Sequence, residues 1–177
     1  MNQNGQTIRP LEFELFAGLD VDKRSMSITI VDHGDLVKSV QMPYGAQNLL
    51  SYAARHYPGK RMAFVYEAGP TGYGLYDELR QADQTCLVAS PSMIPVQPGA
   101  RVKTNRIDSE KLAKSLRGGA LKGIRVPQGG YRDLRHLTQL RDREMHQVGA
   151  TKCRIKALLL MEGLPFPEAP AGSQWSR

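Results

Sequence analysis

A chain of 177 residues with 41% apolar and 23% charged side chains can bury a core without disulfides or structural metals. That length holds one domain, or one domain plus an appendage. The two cysteines, Cys86 and Cys153, have no His or Cys neighbours at metal-ligand spacing. Such a pair reads as two buried thiols in a reducing compartment, ahead of a disulfide or a zinc site. No N-terminal stretch resembles a signal peptide, and no run approaches the roughly 20 apolar residues of a membrane span, so a cytoplasmic protein without membrane contact is expected.

The net charge of +7 is unevenly spread. Residues 1–100 hold eight Lys/Arg against ten Asp/Glu, whereas residues 101–160 hold fifteen against five. Basic charge confined to one segment points to a polyanion-binding surface, with a solvated helical face as the plainer alternative.

Residues 1–13 are polar and patternless, a loose leader. Leu15–Val21, Ser25–Val31 and Leu36–Met42 then read as strands, separated by Asp22-Lys23-Arg24 and Asp32-His33-Gly34-Asp35 as turns. Gln47–His56 has helical spacing and stops at Pro58-Gly59. Met62–Tyr66 and Thr85–Ala89 are short continuous apolar runs, as expected of strands covered on both faces, with a helix over Gly72–Ala82 between them. A β-β-β-α-β-α-β order, three antiparallel strands joined to parallel ones by crossover helices, describes an α/β fold with an RNase H-like (RuvC-like) mixed sheet.

Beyond residue 90 the character changes. Ser90–Gly99 holds three prolines and reads as a loop, Asp108–Leu116 as a helix, and Val126-Pro127-Gln128-Gly129-Gly130 as a break. Tyr131–Met161 contains no proline and predicts one long helix or a helical pair. Steps of three and four connect Leu134, Leu137, Arg141, Met145, Val148, Lys152, Ile155 and Leu159. That is a coiled-coil-like seam twice interrupted by bases, suited to self-association or to packing on its own domain. Pro, Gly and Ser dominate from Gly163 to Arg177, as in a linker. The expected organisation is a leader (1–13), an RNase H-like domain (14–120), a basic helical arm (121–162) and a linker (163–177) to a C-terminal domain absent from this chain.

The chemistry resides in acids. Asp20 and Glu67 each end an apolar strand, where a carboxylate is costly unless something positive meets it. Two strand ends of one sheet can bring such a pair to one rim. Paired carboxylates there suit Mg²⁺, a hard cation that prefers oxygen ligands and keeps substrate phosphate in its shell. Two ions about 4 Å apart could stabilise both the attacking and the leaving oxygen of a phosphodiester. Asp108 falls at a predicted helix start, where capping alone would also explain it. Asn105 lies one turn earlier, and Lys103 and Arg106 flank the pair as candidate phosphate contacts. Asp22, a further acid, is expected to point away from Asp20. The glycine-rich Gly69–Gly74 lacks the Lys-Ser/Thr of a phosphate-binding loop and reads as a tight turn beside Glu67.

Three segments together resemble the N-terminal half of DEDD transposases: Gly18-Leu19-Asp20-Val21-Asp22-Lys23, Tyr66-Glu67-Ala68-Gly69-Pro70-Thr71-Gly72, and Lys103-Thr104-Asn105-Arg106-Ile107-Asp108-Ser109-Glu110-Lys111-Leu112-Ala113. These are recombinases of insertion sequences that use a bridge RNA, related to Piv invertases. The resemblance implies a RuvC-like domain with an Asp-Glu-Asp-Asp tetrad that binds Mg²⁺, then a coiled coil, then a domain with a nucleophilic serine. On this chain the tetrad maps to Asp20, Glu67, Asn105 and Asp108, and Asn105 departs from it. A neutral amide oxygen can ligate Mg²⁺ but does not offset its charge, so one ion position is expected to be weakened. Lys103, Arg106, Lys111 and Lys114 would contact nucleic-acid backbone, DNA and a guide RNA would be partners, and the arm would support a homo-oligomer. No serine here is assigned as nucleophile, so the chain is expected to bind nucleic acid without recombining it alone. Other readings are a non-catalytic nucleic-acid-binding remnant and a Holliday-junction resolvase. An actin-like ATPase would need a second, adenine-binding half, for which no residues are found.

Overall fold

The computed structural model describes residues 7–34, 36–94 and 105–166. Five strands, β1 (Leu15–Val21), β2 (Ser25–Val31), β3 (Leu36–Pro43), β4 (Met62–Glu67) and β5 (Thr85–Ala89), form one sheet in the order β3-β2-β1-β4-β5. The first three pair antiparallel, and β1, β4 and β5 run parallel. This is the RNase H-like arrangement expected from the element order. Helices α1 (Ala46–His56), α2 (Gly74–Gln81), α3 (Asn105–Arg117) and α4 (Gly130–Met161) complete the described structure.

Alternation along the strands divides the core into two layers. Odd residues of β1 and even residues of β4 (Leu15, Ala17, Leu19, Phe64, Tyr66) pack with Leu49 of α1 and with Leu75, Tyr76 and Leu79 of α2. The opposite side chains, Phe16 of β1 and Ala63 and Val65 of β4, pack with Leu112, Ala113 and Leu116 of α3. Helix α3 buries Ser109, Leu112, Ala113 and Leu116, spaced i, i+3, i+4 and i+7, one stripe of a helix. Because both faces are covered, β1 and β4 carry continuous apolar runs, while β3 at the edge is largely exposed.

Helix α3 lies close to the sheet because Gly18 leaves room for it. A Cβ on Gly18 would stand 2.0 Å from the Ser109 carbonyl oxygen and 2.4 Å from the Ala113 nitrogen. A glycine in a strand interior commonly marks such a close backbone approach. Arg117 ties down the other end of the helix, donating to the carbonyls of Asp32 (3.3 Å) and Gly34.

Several expectations need correction. Helix α3 begins at Asn105, not Asp108, so Asp108 lies in its first turn and is not its cap. Part of the leader is structured: Pro10–Glu12 forms a 3-10 turn, and Ile8 and Phe13 pack against the α3 layer. Residues 121–126 return to the sheet, within the compact unit that runs to Val126. There Leu121 and Val126 are buried, Gly123 bridges Ala89, and Ile124 N–H donates to Val88 O at 2.7 Å. Cys86 is buried, and burial pushes its thiol up to about 12, but Cys153 is exposed. The linker residues 167–177 lie outside the described residues.

The second unit contains α4, a single unbroken helix of 32 residues with no buried side chain, about 48 Å long at 1.5 Å per residue. The apolar seam positions are open: Leu134, Leu137, Met145 and Val148 are each at least half exposed. No described helix is long and apolar enough to cross a membrane.

Candidate acidic site at the sheet rim

Strand register brings Asp20 and Glu67 together. In the parallel β1–β4 pair Leu19 is opposite Tyr66, so the next residues of each strand, Asp20 and Glu67, follow side by side on strands about 4.8 Å apart. Both extend the α3-facing rows, Asp20 after Phe16 and Gly18 and Glu67 after Ala63 and Val65. Helix α3 covers those rows and carries Asp108 in its first turn. Three segments distant in sequence thus deliver one carboxylate each to the same face of one sheet edge.

The electrostatics reflect that convergence. Asp20 is half-buried, and burial pushes its carboxyl above the usual range. The charges of Asp108, Glu67 and Asp22, in that order, push it further. Asp22 was expected to point away, yet residues two apart share a strand face. Strand β1 ends at Val21, and Asp22 lies in the turn, where its Oδ1 accepts the Lys23 N–H at 2.6 Å. Of the three neighbouring charges, that of Asp22 acts most weakly on Asp20.

The acids do not form a closed cage. Among the described residues, no three His, Cys, Asp or Glu side chains group closely enough to enclose an ion. One cation is already nearby: Lys111 Nζ stands 3.9 Å from Asp108 Oδ1. Lys114 pairs with Glu110 on the same helix, and Arg106 is exposed at its start. Asn105 opens α3, but its side chain, like the whole of Lys103, lies outside what is described. The donor set is one of oxygen atoms, suited to a hard cation that retains several waters and takes only one or two carboxylates directly.

Two features near the acids were missed in the sequence. The Tyr66 hydroxyl, its pKa raised by burial, donates to Gly72 O at 3.1 Å and so ties down the turn that follows Glu67. Thr29 and Ser109 are the buried polar side chains among the described residues, and their hydroxyls meet at 2.8 Å. The Thr29–Ser109 pair has no local signal, since its two residues are far apart in the chain.

A mixed sheet in the order β3-β2-β1-β4-β5, with acids at the ends of β1 and β4 and on the helix above them, defines an RNase H-like domain with an acidic rim. The chain belongs to the DEDD transposase family of the IS110 type, whose sequence model, described as a transposase, matches residues 17–162. It is 34% identical over 161 residues to "Putative transposase y4qE" of Sinorhizobium fredii (strain NBRC 101917 / NGR234), covering 87% of this chain and 40% of that protein. It is 24% identical over 168 residues to the transposase for insertion sequence element IS1533 of Leptospira borgpetersenii, covering 92% of this chain and 48% of that protein. The chain therefore spans less than half the length of these relatives. Among solved structures it is similar to T. thermophilus RuvC in complex with Holliday junction substrate, at 11% identity and a TM-score of 0.43, over 62% of this chain and 99% of that one.

Proposed function

We propose that this chain is the nucleic-acid-handling, metal-binding half of a transposase that cleaves and rejoins DNA strands during transposition of an insertion sequence. The observation that carries the reading is the convergence of acids from β1, β4 and α3 at one sheet rim, where half-buried Asp20 meets the charges of two other segments. Burying a charge against like charges is unfavourable, and in a nucleic-acid enzyme a divalent cation removes that cost.

Asp20, Glu67 and Asp108 would hold Mg²⁺, with Asn105 offering a neutral oxygen from the start of α3. The ion would supply charge neutralisation and Lewis acidity at a phosphodiester oxygen. The protein's own residues bind and orient the strand. Arg106, Lys111 and Lys114 lie along the helix that carries Asp108, where they neutralise backbone phosphates on either side of the acids. Lys111, which stands beside Asp108, would be free to pair with backbone phosphate once that carboxylate were neutralised by a cation. Lys103, outside the described residues, is proposed as a further phosphate contact from its place in the sequence. The basic segment 101–160 would supply further Lys and Arg for DNA and, by resemblance to bridge-RNA recombinases, for a guide RNA. The open seam of α4 serves self-association, which buries Leu134, Leu137, Met145 and Val148 against a second copy.

One observation favours a second reading, a metal-independent nucleic-acid-binding remnant: the described acids form no compact three-residue group. Melting curves separate the two. On the main reading millimolar Mg²⁺ or Mn²⁺ raises the melting temperature of the wild-type chain and strengthens its binding to a DNA duplex, and Asp20→Asn abolishes both effects. A chain indifferent to divalent ions in both assays is the remnant.

A further inference from the structure

Buried hydroxyls are rare between a sheet and the helix packed on it, where apolar groups would suffice. Here three hydroxyls form a line. Thr29 Oγ1 lies 3.1 Å from Ser39 Oγ and 2.8 Å from Ser109 Oγ, and Ser109 Oγ donates to the Arg106 carbonyl at 3.0 Å. Each hydroxyl has one hydrogen. Since that of Ser109 goes to Arg106, Thr29 donates to Ser109 and Ser39 to Thr29. The chain runs one way, from edge strand β3 through β2 into the first turn of α3, and bonds so aligned strengthen one another.

Register explains the position. Thr29 is opposite Gly18 in the β1–β2 pair and opposite Ser39 in the β2–β3 pair. Ser109 is therefore gripped twice: its hydroxyl by Thr29, and its carbonyl oxygen against the space that Gly18 leaves free. Asp108 is the residue before Ser109, and Asp20 lies two residues beyond Gly18 on the same face. Apolar packing of Leu112, Ala113 and Leu116 resists lifting of α3 but resists sliding or turning weakly. A directional bond at the first turn constrains both.

We propose that Thr29, acting through Ser109, is a positioning residue for the acidic site: the hydroxyl pair sets the register of α3 on the sheet and so holds Asp108 opposite Asp20. The inference rests on the metal-binding reading above. Groups that orient metal ligands typically alter affinity by about 10- to 100-fold when removed.

The test compares Thr29→Val, which keeps the shape and loses the hydroxyl, with Thr29→Ser, which does the reverse. Mn²⁺ affinity is measured by electron paramagnetic resonance, and amide exchange over 106–112 is followed without metal. Positioning predicts that Thr29→Val weakens Mn²⁺ about tenfold and speeds exchange in the first turn of α3. Thr29→Ser restores both, although its lost methyl group lowers the melting temperature. A role in packing alone predicts the opposite ranking, with Thr29→Ser the worse variant in every readout, and would overturn the proposal. So would Thr29→Val with wild-type affinity and exchange, while Asp20→Asn still abolishes Mn²⁺ binding. A wild-type chain that binds no Mn²⁺ overturns the underlying reading and the site role with it, whatever the exchange shows of α3.

Discussion

Adding a single methyl group at Gly18 tests how closely α3 must approach the sheet. The new Cβ would stand 2.0 Å from the Ser109 carbonyl oxygen, 2.4 Å from the Ala113 nitrogen and 2.9 Å from Leu112 Cβ. Unstrained carbon contacts are about 3.5–4.0 Å, so the helix must retreat by more than an ångström. The obstructing atoms are helix backbone and no rotamer change relieves them. Overpacking costs roughly 1–3 kcal/mol and occasionally more, and Gly18→Ala falls at the upper end. For a domain of this size each kcal/mol is worth roughly 3–4 °C in melting temperature, so a loss of about 10 °C is expected. The same retreat stretches the 2.8 Å Thr29–Ser109 contact beyond hydrogen-bonding range and carries Asp108 away, so the divalent-ion stabilisation proposed above is expected to disappear as well. Circular dichroism melts with and without Mg²⁺ measure both effects. Gly149 is the control: it lies within α4 with nothing inside 4 Å of a new Cβ, and its alanine variant gains about 1 kcal/mol of helix stability. Gly18→Ala melting within 2 °C of wild type would refute the close approach.

Asp20→Asn is expected to stabilise the metal-free chain at neutral pH. The folded carboxyl is raised above 3.8, so between that value and its folded pKa the native state keeps a proton that the unfolded state has released. Stability therefore falls as pH rises through this window, and the penalty is complete above the folded pKa. Denaturant titrations in EDTA from pH 3 to 8 should show this pH dependence in wild type and its loss in Asp20→Asn; a variant less stable than wild type at pH 7 contradicts the sign. Along α4, Leu137→Glu and Val148→Glu alter residues at least half exposed, so they should leave monomer helix content unchanged. Sedimentation should show them lowering the oligomer mass, and an unchanged mass excludes the seam as interface. Replacing Arg106, Lys111 or Lys114 by alanine should each reduce the slope of log K against log salt for DNA binding by about 0.9. Unchanged slopes would remove that helix from the contact surface.

All five strands were legible in the sequence because each is bounded by turn chemistry, Asp22–Arg24 and Asp32–Asp35 by charge and glycine, Pro58-Gly59 by proline. The positions of Asp20 and Glu67 at the ends of β1 and β4 were legible too, as acids closing apolar runs. The start of α3 was not, because aspartate suits both a cap and a first turn, and nothing local distinguishes Asn105 from Asp108 in those roles. Residues 121–126 fall in the arm in the organisation expected from the sequence. Their return to β5 through Gly123 and Ile124 is a pairing across more than thirty residues of chain, invisible to periodicity. Thr29 and Ser109 were hidden in the same way: each is an ordinary strand or helix residue until the register of β1 with β2 brings them together.

Direct binding of Mn²⁺, followed by electron paramagnetic resonance in the wild-type chain and in Asp20→Asn, Glu67→Gln and Asp108→Asn, examines the acidic rim most directly. Saturable binding that Mg²⁺ displaces, and that each of the three substitutions abolishes or weakens at least tenfold, is the expected result. Binding that survives all three, or none in the wild-type chain, would mean that the carboxylates of β1, β4 and α3 do not share a cation.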